Sequence, residues 1–201
     1  NSSVDGTRVS TGGSIQLNND WLFSVDSSVR SDDITAFFAP GPTFSQKRDQ
    51  LTVSPRLQGK INLGQYASKV ILGQDIERGR YEAFGSIGKP KTNSSYLQLS
   101  LPVSNTVEVT TGYRYGRHQN DISFTPKVKD SVSAASLGVF WKTSDSVKTW
   151  LRADQNFRFA TIDEHTYTAT FLPLKTQTGV SYEAGVEKQL KAQTFKLQAY
   201  Q

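Results

Sequence analysis

The stretch "VEVTTGYRYGRH", residues 107–118, separates into two interleaved sets of opposite character. Odd positions hold Val107, Val109, Thr111, Tyr113 and Tyr115; even positions hold Glu108, Thr110, Gly112, Arg114, Gly116 and His118. A period of two sustained over this length defines a β-strand rather than a helix, because successive side chains of a strand leave on opposite faces. One face is built for an apolar phase and the other for water or polar partners. Whether that apolar phase is a protein core or a lipid bilayer decides the fold.

Composition narrows the choice without making it. The 201 residues can hold one large β domain or two small ones. Hydrophobic residues make up 36%, mean hydropathy is −0.48, and no apolar run is long enough for a transmembrane helix. Mean hydropathy is blind to a transmembrane β-barrel, which turns apolar side chains to lipid only at every second position and keeps its polar half in the lumen. The chain has no cysteine, so disulfide frameworks and thiolate metal sites are excluded. A net charge of +5 raises nucleic acid as a partner, but the Lys and Arg residues are spread along the chain, so no nucleic-acid partner is expected. The opening "NSSVDG" carries no initiator Met or signal segment and the closing "KLQAYQ" breaks off in a strand pattern; both imply a piece of a longer protein.

Candidate strands run over 7–17, 21–38, 49–62, 68–84, 94–103, 107–120, 131–143, 147–159, 178–190 and 195–201. Connections alternate between short, such as "NND" and "SDS", and long, such as "APGPTFSQKR", "GSIGKPKTN", "DISFTPKVKD" and "ATIDEHTYTATFLPLKTQ". The short ones carry the Asn, Asp, Ser and Gly that tight hairpins require. Tight turns at one end and large loops at the other favour an outer-membrane barrel over a soluble sandwich. The same two-faced pattern recurs: Leu51, Val53, Pro55, Leu57 and Ile61 oppose Thr52, Ser54, Arg56, Gln58 and Lys60, and Val180, Tyr182, Ala184 and Val186 oppose Ser181, Glu183, Gly185 and Glu187. Trp21, Tyr66 and Trp141 fall at the short-turn ends, where an aromatic girdle belongs. Pro55 and Pro102 lie inside candidate strands and call for an edge, a bulge or a strand end.

Motifs for chemistry are sparse. The two histidines, His118 and His165, pair with no nucleophile or ligand pattern, so neither catalysis nor a cofactor is expected. "TIDEH" (161–165) reads as a charged loop rather than a cation site, and "GSIGKP" lacks the Ser or Thr that a phosphate loop needs after Lys89. Asp32 and Asp33 of "SDDI" lack a glycine-bearing calcium loop, and "NSS" at 93–95 is a glycosylation pattern common by chance.

Several longer segments together carry a family resemblance. "FRFATIDEHTYT" (157–168), then "LKTQTGVSYEAGVEKQL" (174–190), resembles the late-barrel signature of TonB-dependent outer-membrane receptors, in which a Phe-Arg-Ala-Pro-like segment and a Leu-Lys-Pro-Glu-like element precede a Tyr-Glu-x-Gly strand. Phe157, Arg158, Leu174, Lys175, Tyr182, Glu183 and Gly185 match; Phe159 intervenes before Ala160, Thr161 replaces the Pro, and Thr176 and Gln177 replace Pro and Glu. "TVSPRLQGKI" (52–61) is similar to the family's Ser-Pro-Arg-Leu strand, and "LPVSNTVEVTTGYRYGRH" to its recurrent hairpin ending in Gly-x-Arg-Tyr.

The resemblance implies an all-β fold: an antiparallel up-and-down transmembrane β-barrel, of which residues 1–201 supply about ten of about 22 strands. The plug domain and closing strands are expected outside this chain. The implied function is a receptor and transporter, not an enzyme, in the bacterial outer membrane. It takes up a scarce nutrient, above all a ferric siderophore, or else haem or cobalamin, and is driven by the TonB complex. Lipid bilayer is the other implied partner. Lumen-facing Tyr81, Arg114, His118, Arg152 and Arg158 are the expected substrate contacts, since cationic and aromatic groups suit an anionic ferric chelate. The same arginines are also placed to pair with barrel carboxylates such as Glu108 and Asp154. Gly112 and Gly116 are expected to leave room for the plug or the substrate. A soluble all-β ligand-binding module (sandwich or jelly roll) and a passive porin-like barrel remain as alternatives.

Overall fold

A computed structural model of the chain describes residues 2–37, 41, 43–83, 85–123, 127–161, 164 and 174–201. Ten strands follow one another: β1 (Ser2–Gln16), β2 (Trp21–Phe37), β3 (Thr43–Leu63), β4 (Tyr66–Ala83), β5 (Ser86–Pro102), β6 (Val107–Ile122), β7 (Val128–Ser144), β8 (Val147–Arg158), β9 (Gln177–Leu190) and β10 (Gln193–Tyr200). They form a single antiparallel sheet in sequence order, with β1 and β10 as its two edges. The up-and-down architecture read from the alternation holds. A sandwich or jelly roll does not fit: among the described residues there is no second sheet to cover the first.

Short connections follow local chemistry. Asn18 Oδ1 accepts from the backbone N–H of Asp20 and Trp21 at 2.9 and 3.0 Å, closing the turn into β2. Ser104 Oγ does the same for Thr106 and Val107 at 3.2 and 3.0 Å before β6. These side chains mimic a backbone turn, which is why Asn and Ser occupy these hairpins. The turn between β3 and β4 uses Gly64 at φ 68°, a left-handed conformation that costs a glycine nothing.

Register keeps every polar set on one face. Arg56 stands opposite Ser24 and Gly73, Asp75 aligns with Ser94 and then Gly116, and Arg114 aligns with Tyr96 and Ala134. A slip of one residue anywhere would turn a whole apolar set to the wrong side. The opposite face carries large exposed hydrophobics or tyrosines on every strand from β3 to β10: Leu51, Leu72, Leu97, Tyr113, Leu137, Leu151, Val180 with Tyr182, and Leu197. Trp21, Tyr66 and Trp141 lie on this apolar face at the short-turn end.

Two expectations are corrected. Residues 43–48, 86–93 and 128–130 belong to strands, so three of the long connections contract to 38–42, 84–85 and 123–127, leaving 159–176 as the long one. The cause lies on the outer face. Beyond Leu51, Ile76 and Tyr115 its residues become Asp49, Arg78 and Arg117, so both faces are polar there and the alternation that marks a strand disappears. The second correction concerns proline. Pro102 does end β5, but Pro55 lies mid-strand without a bulge. It pairs with Val25 on one side, while the ladder to β4 skips from Val53↔Ile76 to Arg56↔Gly73 in unchanged register. The missing N–H thus costs one rung and shifts nothing.

Aromatic rings cover three cross-strand glycines. A Cβ on Gly59 would lie 2.3 Å from the Trp21 indole, one on Gly73 2.3 Å from the Tyr96 ring, and one on Gly185 2.1 Å from the Trp150 indole. Each ring lies flat along the sheet and fills the groove its glycine leaves. Gly73→Val is expected to displace Tyr96 and destabilise the protein by about 1–3 kcal/mol. Gly13→Ala, where a Cβ meets nothing within 4 Å, should change stability by less than about 0.5 kcal/mol. Equilibrium denaturant unfolding of both variants checks the pair; equal effects would refute the role of the ring.

Candidate functional site

The polar face holds a cavity of about 470 Å³ toward the end of the sheet opposite the tight turns. Its wall runs from Arg48 on β3, through Tyr81 on β4, Thr92 on β5 and His118 on β6, to Phe157 at the end of β8 and Phe159 just beyond. Strand parity places the first four on one face, and Phe157 and Phe159 close over it from the other side.

Four of the five expected contacts meet here: Tyr81, Arg114, His118 and Arg158 all line this cavity. Arg152 does not. It borders a neighbouring cavity lower on the face, which Arg114 also lines. Tyr81, 8% exposed, packs with Ile122 and Val128 into an apolar cluster on the otherwise polar face. His118 Nδ1 lies 3.0 Å from Thr92 Oγ1, and its ring stacks on Phe159 at 4.9 Å and 18°. Phe157 meets Phe159 edge-on at 5.4 Å.

The arginines are not free cations. Arg114 Nη2 donates to Asp75 at 2.8 Å, with its guanidinium 5.8 Å over the Tyr96 ring. Arg152 pairs with Asp154 at 2.6 Å, as the sequence allowed, whereas Glu108 accepts from Ser100 at 2.7 Å instead. Arg158 forks onto Glu164 at 2.6 and 3.0 Å and also donates to Gln177. Arg48, which parity alone marks as inward, donates twice to Asp32, at 3.0 and 2.7 Å. Asp32 accepts from Arg30 as well, at 2.9 Å. Arg48, Arg114 and Arg152 retain N–H donors beyond those engaged, so the wall presents directed hydrogen bonds and rings rather than a net cationic field.

Room expected at two glycines is taken by the chain itself. A Cβ on Gly116 would fall 2.9 Å from Phe157 and 3.2 Å from Phe159, and one on Gly112 2.6 Å from Ser136 Oγ. Glycine at 116 therefore lets the Phe157–Phe159 pair close over β6. Asp32 and Asp33 are neighbours in sequence but leave the strand on opposite faces, so they do not form a joint cation site. No metal-type cluster occurs among the described residues. His165 and Asp163 of "TIDEH" lie outside the described residues; Glu164 serves Arg158.

Sequence reasoning missed Arg48, Thr92, Asn120, Phe157 and Phe159 as lining residues. Asn120 simply continues the even set of residues 108–118, and Arg48 the even set of β3, had that strand been drawn long enough. The stack of Phe159 on His118 joins elements 41 residues apart (159 − 118) and leaves no local signal.

Glu164 fixes the start of the 159–176 connection, since its carboxylate also accepts from Thr161 N–H at 2.7 Å and Thr161 Oγ1 at 3.0 Å. Hydrogen bonding by Arg158, then by Thr161, lowers its pKa from 4.5 to about 2. A pKa lowered by folding contributes stability that is complete above 4.5 and lost as pH falls toward 2. The Thr161 amide should accordingly keep its hydrogen-exchange protection factor at pH 5 and above, and lose it on acidification through about pH 2. Glu164→Gln should weaken that protection at neutral pH, and protection unchanged in both experiments would exclude the anchor.

Comparison with known proteins follows this geometry. A search of curated protein sequences returned no match. Among solved structures, the chain is similar to BauA, the ferric preacinetobactin receptor from Acinetobacter baumannii, with TM-score 0.82, 10% identity, and coverage of 99% of this chain and 37% of that one. The ferripyoverdine receptor of the outer membrane of Pseudomonas aeruginosa matches with TM-score 0.82, 10% identity, and coverage of 97% of this chain and 32% of that one. The ferric citrate transporter FecA matches with TM-score 0.73, 14% identity, and coverage of 97% and 34%. The chain thus spans about a third of the length of these structures, and at such identities the likeness is one of fold. The family model for "TonB dependent receptor-like, beta-barrel" matches residues 1–201, so the chain belongs to the β-barrel domain of the TonB-dependent receptors.

Proposed function

We propose that this chain is the partial barrel domain of an outer-membrane receptor that captures a metal chelate, a ferric siderophore in the first place, for uptake energised by the TonB complex. The observation that carries the reading is the exposed apolar face. Large hydrophobics from Val9 on β1 to Leu197 on β10 stand open on one side of the sheet, a patch far beyond what a soluble monomer exposes. On β3 the band runs from Leu51 to Ile61, a span suited to a tilted transmembrane strand of about 9–11 residues. The family's barrels are outer-membrane proteins, and the family consists of receptors and transporters rather than enzymes.

Capture at the cavity on the polar face supports the chelate reading. Tyr81, His118, Phe157 and Phe159 offer ring surfaces, Arg48 and Arg114 offer oriented donors, and Arg158 borders them. Arg152 fits a second contact lower in the lumen. The unpaired edges of β1 and β10 support completion of the barrel by strands outside residues 1–201, with a plug in its lumen.

Leu137→Arg, in the middle of the apolar band, is expected to cost the complete receptor about 2–4 kcal/mol in lipid; folding into vesicles, followed by gel mobility, measures it, and normal assembly would contradict the membrane face. Arg114→Ala should assemble normally yet bind its ferric chelate about tenfold more weakly, equivalent to about 1.4 kcal/mol. Asp75→Asn, which frees the same guanidinium, should retain binding. Equal titrations of Arg114→Ala and the wild type would remove Arg114 from the site.

A further inference from the structure

The outer face changes charge where it loses its apolar residues. Beyond Ile76 and Tyr115, toward the end opposite the tight turns, it carries Arg78 on β4, Lys91 on β5, Arg117 on β6 and Lys129 on β7. Register lines them up: Arg78 stands opposite Lys91, Lys91 opposite Gln119 and Gln119 opposite Lys129, while one row nearer the apolar band Asn93 stands opposite Arg117. Like charges directly opposed on a sheet repel and destabilise it. The carboxylates around this row are engaged elsewhere: Glu82 with Arg80, Asp121 with Lys127, and Asp49 with Ser31 Oγ. Among the described residues none of the four cations is in an ion pair. On the polar face, by contrast, Arg48, Arg56, Arg114, Arg152 and Arg158 each meet a carboxylate.

The two arginines are held ready by neutral partners. Arg78 Nη1 donates to the Glu77 and Thr92 carbonyls at 2.7 and 3.2 Å, and Nη2 donates to Asn93 Oδ1 at 3.1 Å, which leaves Nε–H and one Nη2–H for another acceptor. Arg117 Nε donates to the Tyr115 hydroxyl at 3.2 Å, with the guanidinium 5.3 Å over that ring and both Nη groups still to spare. Lys91 and Lys129 are exposed. We infer that this row binds the phosphate of a phosphomonoester lipid headgroup in the outer leaflet, held between Arg78 and Lys91 and flanked by Arg117 and Lys129. The inference rests on the reading of the apolar face as the one turned to lipid, with the tight turns on the periplasmic side. Directly opposed residues have Cβ atoms about 5 Å apart, so one dianionic phosphate can accept from both cations and relieve their repulsion. Position selects the occupant: a lipid whose chains lie along Leu72, Leu97 and Tyr113 puts its phosphate in the first polar rows beyond them, and those rows are cationic here. A soluble anion would gain nothing from the apolar band below.

The experiment uses the complete receptor in dodecyl maltoside, titrated with phosphatidic acid, whose headgroup is a phosphomonoester, or with zwitterionic phosphatidylcholine, and read by native mass spectrometry. The wild type should bind phosphatidic acid at least about tenfold more tightly than phosphatidylcholine. Arg78→Gln/Lys91→Gln should bring the two lipids within about threefold of each other, while its thermal stability in detergent alone stays level or rises, because a like-charge pair has been removed. Lys91→Gln alone, at an exposed position, serves if the double variant does not assemble, and should lose at least about threefold of the preference. Lys142→Gln/Lys148→Gln removes the same net charge from another directly opposed pair, on the polar face at the tight-turn end, and should keep the wild-type preference. A preference retained by Arg78→Gln/Lys91→Gln overturns the inference. A preference lost equally in Lys142→Gln/Lys148→Gln also overturns it, since net charge then accounts for the binding. Displacement of the lipid by inorganic phosphate, at an ionic strength matched with chloride, overturns it as well, because the row then takes free anions. A receptor that stays monodisperse without detergent overturns the membrane reading itself.

Discussion

Everything in this structure depends on an uninterrupted antiparallel ladder in which every strand pairs with its neighbours in sequence. Because side chains alternate at each residue, the ladder carries one decision across the whole sheet: which parity faces which phase. That coupling allows a chain of mean hydropathy −0.48 to present a continuous apolar surface. It also aligns Arg48, Glu77, Ser94 and Gly116, far apart in sequence, along the polar side.

The polar side then solves a problem of its own. Inward charges on closely spaced strands must be neutralised or fully hydrated. Arg56 with Asp26, Arg114 with Asp75, Arg48 with Asp32 and Arg152 with Asp154 each join acid and base within the wall. Such pairs contribute modest stability where they are half-exposed, but they hold guanidinium groups in defined directions. Recognition at this wall rests on orientation and ring contact more than on net charge.

The sequence made the strands legible where one face was apolar and one polar. Residues 107–116 display both sets with Thr111 as the polar member of the apolar one, and Leu51 to Ile61 nearly so. Where the strands rise past the apolar band, both faces become polar and the signal fails, as in 86–93, which reads as a loop and folds as the start of β5. Proline misled for a related reason: Pro55 violates the local rule, yet one absent rung among many leaves the ladder intact. Inward-facing Tyr81, Arg114 and His118 followed from parity; their gathering into one cavity did not.

By itself the sequence determined parity, turn chemistry and the amphipathic character of each strand, because these depend on residues within a few positions of one another. Tertiary structure alone decided which arginine meets which carboxylate, that Gly116 makes room for Phe157 and Phe159, and that Arg78 comes to stand opposite Lys91. Those outcomes are set by register between strands, and register is a property of the whole ladder rather than of any segment within it.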